Sequence, residues 1–183
     1  QAGYSNTTGL IDAFGDNALG ANTTGQFNSA FGRNSLVSNT TGTSNIAMGT
    51  GGPGVYGALQ SNSTGSYNVA LGTQSLANNT TASYNTAVGY QAGYSNTTGS
   101  LNVFMGLGAG YSSTTANSNT FIGSGVSGSF NAAGYFNTTG TQNTYIGGGG
   151  IMTTGSKNTI IGLYNGNQGG LDIRTASNYI VLS

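Results

Sequence analysis

The sequence predicts an all-β chain wound as a parallel β-solenoid, a β-roll of about ten 17-residue coils. Three observations carry that expectation. A five-residue phrase that opens with Asn and closes with Gly recurs along the chain, with its first residue at Asn28, Asn45, Asn68, Asn85, Asn102, Asn119, Asn143 and Asn158. The closing glycines stand at 15, 32, 49, 72, 89, 106, 123, 147 and 162, so most steps are 17 residues. A short fixed period marks a solenoid, in which each coil buries its apolar side only against its neighbours. The fourth place of the phrase is always large and apolar: Phe14, Phe31, Met48, Leu71, Val88, Met105, Ile122, Ile146 and Ile161. Finally, a polar Asn-Thr-Thr-Gly corner or a close variant recurs between phrases, starting at Asn6, Asn22, Asn39, Asn62, Asn79, Asn96 and Asn137.

Taken in chain order, each coil starts with a strand. In Asn85-Thr86-Ala87-Val88-Gly89, residues 86 and 88 share one face and Ala87 points to the other. The second place is mostly Thr, Val or Ile, so we place the 86/88 face toward the coil interior, with the fourth-place residues Phe31 to Ile161 as the core ladder. The third place holds Ala30, Ala47, Ala70 and Ala87, then Phe104, Phe121, Tyr145 and Ile160. With both faces apolar, the strand reads as buried on two sides, and the third-place face is expected to meet a partner chain. Small residues early and aromatics late suit chains that pack tightly at one end and diverge at the other.

After the glycine comes a second short stretch, as in Tyr90-Gln91-Ala92-Gly93-Tyr94, and then the corner. Asn and Gly tolerate the left-handed backbone of a tight turn, and Thr favours the strand that follows. Ten coils stacked at ~4.8 Å give a rod on the order of 50 Å long. Two insertions, near 51–56 and 124–130, each follow a phrase-closing glycine. Insertions in solenoids form loops on one side and often the contact surface. Pro53, Val55, Tyr56 and Phe130 are therefore the candidate contact residues. Residues 1–170 read as the repeat solenoid and 171–183 as a strand-like junction to a further C-terminal region. Because QAGYSNTTG at 1–9 recurs letter for letter at 91–99, the chain reads as a piece of a longer polypeptide.

Composition narrows the chemistry. Thirty-four glycines stand beside only three cationic and three acidic residues, with no His, Cys or Trp. Such a chain has no basic patch to neutralise phosphates, which argues against nucleic-acid binding. No run is long and apolar enough for membrane insertion. Catalysis by general acid and base, or by a nucleophile, needs a His, Cys or carboxylate pair, and the chain is read as no enzyme, with no cofactor. Asp12 and Asp16 are four apart, too few oxygen ligands for calcium. The glycine run at 147–150 lacks the Lys-Ser/Thr and helix of a phosphate loop. The recurring first Asn, at 28, 45, 68, 85, 102, 119, 143 and 158, reads as an amide ladder hydrogen-bonding from coil to coil.

The phrase Tyr-Asn-Thr-Ala-Val-Gly at 84–89 resembles the head repeats of trimeric autotransporter adhesins, which are left-handed parallel β-rolls assembled as trimers. The longer wording at 85–106 is similar to Gly/Asn/Thr repeats of bacteriophage tail-fibre proteins. That resemblance implies a homotrimeric fibre segment, the shaft or receptor-facing part of a tail fibre on a virion, meeting a host-surface receptor or glycan. Two alternatives stay open: a bacterial surface adhesin or extracellular filament protein, and a monomeric ice- or glycan-binding solenoid. Against an ice-binding face, adjacent Thr97 and Thr98 in an extended chain point to opposite sides. The Asn-Thr-Thr corners also match the acceptor pattern for N-glycosylation, at Asn6, Asn22, Asn39, Asn79, Asn96 and Asn137, with Asn62-Ser-Thr as a variant.

Overall fold

A computed structural model describes residues 1–125, 132–149, 152–164, 167–168 and 171–182, with backbone only for 167–168. The described residues contain no helix. Nine short strands follow one another at the phrase positions: β1 (Ile11–Phe14), β2 (Asn28–Phe31), β3 (Ile46–Met48), β4 (Val69–Leu71), β5 (Thr86–Val88), β6 (Val103–Met105), β7 (Thr120–Ile122), β8 (Thr144–Ile146) and β9 (Thr159–Ile161). A small antiparallel pair, β10 (Asn167–Gln168) and β11 (Leu171–Asp172), precedes β12 (Ile180–Leu182). Strands β1 to β9 and then β12 form one ten-stranded parallel sheet in sequence order. Each residue pairs with its equivalent one coil on, as in Ala70 with Ala87 and Ala87 with Phe104. The chain is a parallel β-solenoid, and the segment after residue 170 supplies the sheet's tenth strand.

Register is held by two files of buried asparagines. In the strand file, the backbone N–H of Asn45, Asn68, Asn85, Asn102, Asn119, Asn143 and Asn158 donates to the Oδ1 of the Asn one coil earlier at 2.9–3.0 Å. The Nδ2 of each, from Asn28 onward, donates to the carbonyl that closes the following coil's corner at 2.7–2.9 Å. The corner file runs through Asn6, Asn22, Asn39, Asn62, Asn79 and Asn96, each Nδ2 reaching the preceding Oδ1 at 2.8–2.9 Å. The same amides, from Asn22 to Asn96, also tie the carbonyl three residues on, closing the turn. A buried amide left unpaired costs several kcal/mol, and these can pair fully only when coils stack in register.

The interior differs from the sequence expectation. The third-place residues Ala30, Ala47, Ala70, Ala87, Phe104, Phe121, Tyr145 and Ile160 are the buried ones. The expected core ladder points outward: Phe31, Met48, Met105, Ile146 and Ile161 are exposed, and Leu71, Val88 and Ile122 are half-buried. The physical reason is the pleat. First and third places share a face, and the first-place Asn must be inside to complete its ladder, so the third place goes inside with it. Phe104, Phe121 and Tyr145 therefore face the core, not a partner.

The shift from Ala to aromatic does not widen the coil, because the opposite wall changes with it. Leu19, Leu36, Leu59 and Leu76 fill the interior opposite the alanines. They do so from a left-handed backbone, with φ between 47° and 50°. That conformation costs an L-residue roughly 1–2 kcal/mol, which burying a Leu side chain, worth about 2 kcal/mol, offsets. In the later coils the same place is Gly93, Gly110 and Gly134, with φ of 62°. A Cβ on Gly110 would lie 2.3 Å from the Phe104 ring, and one on Gly134 2.3 Å from that of Phe121. The aromatic rings occupy the space the leucines leave, and Phe121 stacks on Tyr145 at 4.7 Å. The Tyr145 hydroxyl is sealed in the core outside hydrogen-bonding geometry, and burial holds its pKa above the ordinary value despite the nearby Asn158 amide.

This packing can be tested by exchange of its two walls. Ala87→Phe alone is expected to overpack the interior against Leu76, lowering stability by about 1–3 kcal/mol. Adding Leu76→Gly clears that side chain, so that the new ring lies between position 76 and Gly93 as Phe104 lies between Gly93 and Gly110. The pair should recover most of the loss in a double-mutant cycle followed by thermal melting. A second prediction concerns a break in the corner file. Ser113 stands where Asn is expected and Met152 occupies the equivalent place after Asn137, and the Asn96 Oδ1, Ser113 Oγ and Asn137 Oδ1 are buried with no partner. Ser113→Asn restores the donor that Asn96 lacks, and we expect a gain of about 1 kcal/mol, read as a melting midpoint raised by roughly 2–4 °C. A lower midpoint would show that the corner has no room for the longer amide.

Candidate functional site

With the interior filled by Asn, Ala, Leu and a few aromatics, the surface carries whatever recognition the chain performs. Its largest feature is the outer face of the ten-stranded sheet. Second and fourth places point outward along it, and Phe14, Phe31, Ile46, Met48, Met105, Ile146, Ile161, Ile180 and Leu182 are all exposed, Phe14 to 74% and Ile180 to 77%. Ten strands at ~4.8 Å and three residues at ~3.3 Å give a face of about 48 by 10 Å, on which the fourth-place column is apolar throughout while the second-place column mixes Ile46, Val69, Val103 and Ile180 with Asp12, Ser29 and four threonines. The face is widened by the residues that precede the first-place Asn, where Phe27, Tyr67, Tyr84 and Leu101 are exposed and Tyr67 stacks on Tyr84 at 5.0 Å.

The first insertion builds a second feature. Gly52 and Val55 exchange both backbone hydrogen bonds, at 2.8 and 3.0 Å, across a turn with Pro53 at its second place and Gly54 at its third. The φ of 72° at Gly54 suits the third place of a type II turn, which a side chain disfavours. Gly51 N–H donates to the Arg33 carbonyl at 2.7 Å, Gly57 N–H donates to Gln60 Oε1 at 2.8 Å, and the Tyr56 ring rests against Tyr94 with centroids 6.3 Å apart. The candidate contact residues Pro53, Val55 and Tyr56 are thus brought together on a braced, exposed hairpin. Beside it lies a cleft of about 260 Å³ lined by Asn34, Gly52, Gly54, Val55, Tyr56 and Gln60. Phe130, the candidate of the second insertion, lies outside the described residues, of which that insertion contributes only Ser124 and Gly125.

A third feature is a file of rings that period reading missed. Tyr94, Tyr111 and Tyr135 stack at 5.1 and 4.8 Å, and Phe136 meets Tyr135 edge-on at 5.0 Å. Burial first, and neighbouring tyrosines second, raise the pKa of Tyr111 and of Tyr135. The signal was in the sequence, since all three tyrosines stand two residues before a corner Asn or Ser.

Several other readings can be placed. The corner asparagines Asn22, Asn39, Asn62, Asn79, Asn96 and Asn137 are fully buried, and a sugar on Nδ2 would displace their hydrogen bonds. The corners therefore act as turns in this fold. Of each Thr pair, the first hydroxyl donates to the next coil's carbonyl, as Thr97 does to Thr114 at 3.1 Å, while the second, as at Thr98, is exposed. Two residues further, Ser83 and Ser100 accept backbone N–H groups of the adjacent coil. The outward hydroxyl file of the corner is thus one residue wide. Asp16 lies 3.5 Å from Arg33, and Asp12 accepts from Ser29, so the two carboxylates have separate partners. At the far end Arg174 pairs with Asp172 at 2.6 Å, whose carboxyl its guanidinium holds below the usual range. Among the described residues no three His, Cys, Asp or Glu cluster as metal ligands, and no helix is long and apolar enough to cross a membrane. The chain matches no protein-family model, no curated protein and no solved structure.

Proposed function

We propose that this chain is a structural fibre segment, the shaft or receptor-facing part of a phage tail fibre or of a comparable cell-surface filament, built from several copies of the same solenoid. The observation that carries the reading is the open apolar face of the ten-stranded sheet, with Phe31, Met48, Met105, Ile146 and Ile161 exposed in register. An apolar column running the length of the sheet favours association, and a second copy presents the same column at the same coil spacing. Three such faces closing on a common axis cover the apolar column of each, and the resemblance to trimeric repeats sets three as the number expected. In that arrangement the corners and the 51–56 hairpin remain on the outside, available for host attachment, while the regular coils set the reach. Scarcity of charge fits the role, because a spacer needs stacking and not chemistry.

The test is the mass of the assembly. Native mass spectrometry at micromolar concentration is expected to give a three-chain mass. Met105→Asp, which puts a carboxylate on the outer face and leaves the coil interior untouched, should shift the protein to one chain while its β-type circular dichroism persists. A one-chain mass for the parent would overturn the reading.

A further inference from the structure

The geometry points to the cleft beside the 51–56 hairpin as a binding site for one neutral saccharide ring. The hairpin is the described part of the chain that departs most from the repeat, and it is held more firmly than a tolerated irregularity requires. Its turn is closed by two backbone hydrogen bonds, its base is tied to Arg33 and Gln60, and Tyr56 leans on Tyr94 from the adjoining ring file. A site whose walls are already fixed loses little conformational entropy on binding.

The chemistry of the walls selects the ligand class. Asn34 uses its Oδ1 to accept from Asn17 and Gln60 its Oε1 to accept from Gly57, which orients each side chain and leaves its amide NH₂ for a ligand. Tyr56 contributes a partly exposed ring and a hydroxyl, Val55 an apolar edge, and Gly52 and Gly54 have open space where a Cβ would stand, letting a ligand approach the backbone. None of the six lining residues is ionised, and the nearby Arg33 is paired with Asp16. Amide donors beside an aromatic ring, without charge, match a pyranose: its hydroxyl oxygens accept from the amides and its C–H face lies on the ring. The volume, about 260 Å³, is below the usual range for drug-sized ligands and suits a single ring of a longer glycan. The site stands whether the solenoid is trimeric or not.

Saturation-transfer NMR with the methyl glycosides of glucose, galactose and N-acetylglucosamine, and with N-acetylneuraminic acid as an acidic control, tests it on the full chain. At least one neutral glycoside is expected to bind, with a dissociation constant of about 1 mM for so shallow a cleft. Tyr56→Ala should weaken that binding by about tenfold or more and Tyr56→Phe by much less. Should Tyr56→Ala lower the melting midpoint, deletion of residues 51–56, which restores the 17-residue step between Gly49 and the next phrase-closing glycine, provides the same readout on a regular coil. No binding by any of the three neutral glycosides, binding by the acidic sugar alone, or binding that survives the deletion would each overturn the proposal.

Discussion

Buried asparagine amides decide how each coil sits on the next. Each coil has too little apolar interior to fix its position on the next, since the inward strand residue of the early coils is only alanine. The amides supply what alanine cannot. Asn45, for example, accepts the Asn68 backbone N–H through Oδ1 at 3.0 Å and gives Nδ2 to the Gly65 carbonyl at 2.9 Å. Sliding one coil by one residue would strand these groups in a dry interior and turn every side chain to the opposite face. Insertions are absorbed without loss of register: the step from Asn45 to Asn68 is 23 residues and from Asn119 to Asn143 is 24, yet the same hydrogen bonds recur.

Once register is fixed, side-chain volumes add up column by column. Leu and Ala in the first coils, Gly and Phe or Tyr in later ones, are two solutions for one cross-section. The exchange takes place around Gly93, whose missing Cβ would meet both Phe104 and Leu76. It also moves backbone strain. The leucines hold a left-handed conformation that suits glycine, whereas the later glycines accept it freely and leave the apolar burial to the strand. Interiors packed at crystalline density permit such an exchange only when both walls change together.

Much of this was legible in the sequence. The period, the strand positions, the parallel stacking and the amide ladder follow from the recurrence of Asn and Gly. The direction of the strand faces did not, because apolarity is a poor guide when both faces are apolar and the outer one, with Phe, Met and Ile, is the more apolar of the two. A better guide was present: a ladder Asn at place one must be inside, and place three shares its face. Glycine at 93, 110 and 134, standing where earlier coils have leucine, was likewise visible, but its meaning needs the contact with Phe104 and Phe121 across the coil. The 51–56 loop was marked by its position alone, whereas its cleft depends on Asn34 from the preceding coil and Gln60 beyond the loop, which no local reading joins.

In the early coils the strands carry their larger apolar groups on the outer face, which the proposed assembly covers. Inside, the strands offer mainly amides and alanines; outside, they offer Phe31, Met48, Met105 and Ile161. In the proposed assembly, burial of the outer columns between chains is the hydrophobic term that a single chain leaves unused. An assembly of that kind makes stability depend on protomer concentration, since anything that binds the folded coil and not the unfolded chain shifts the equilibrium by mass action. The asparagine ladders hold the coils in the register that makes the outer columns continuous. Their polar bonds thus align the fourth-place side chains into one continuous apolar column in place of ten separate residues.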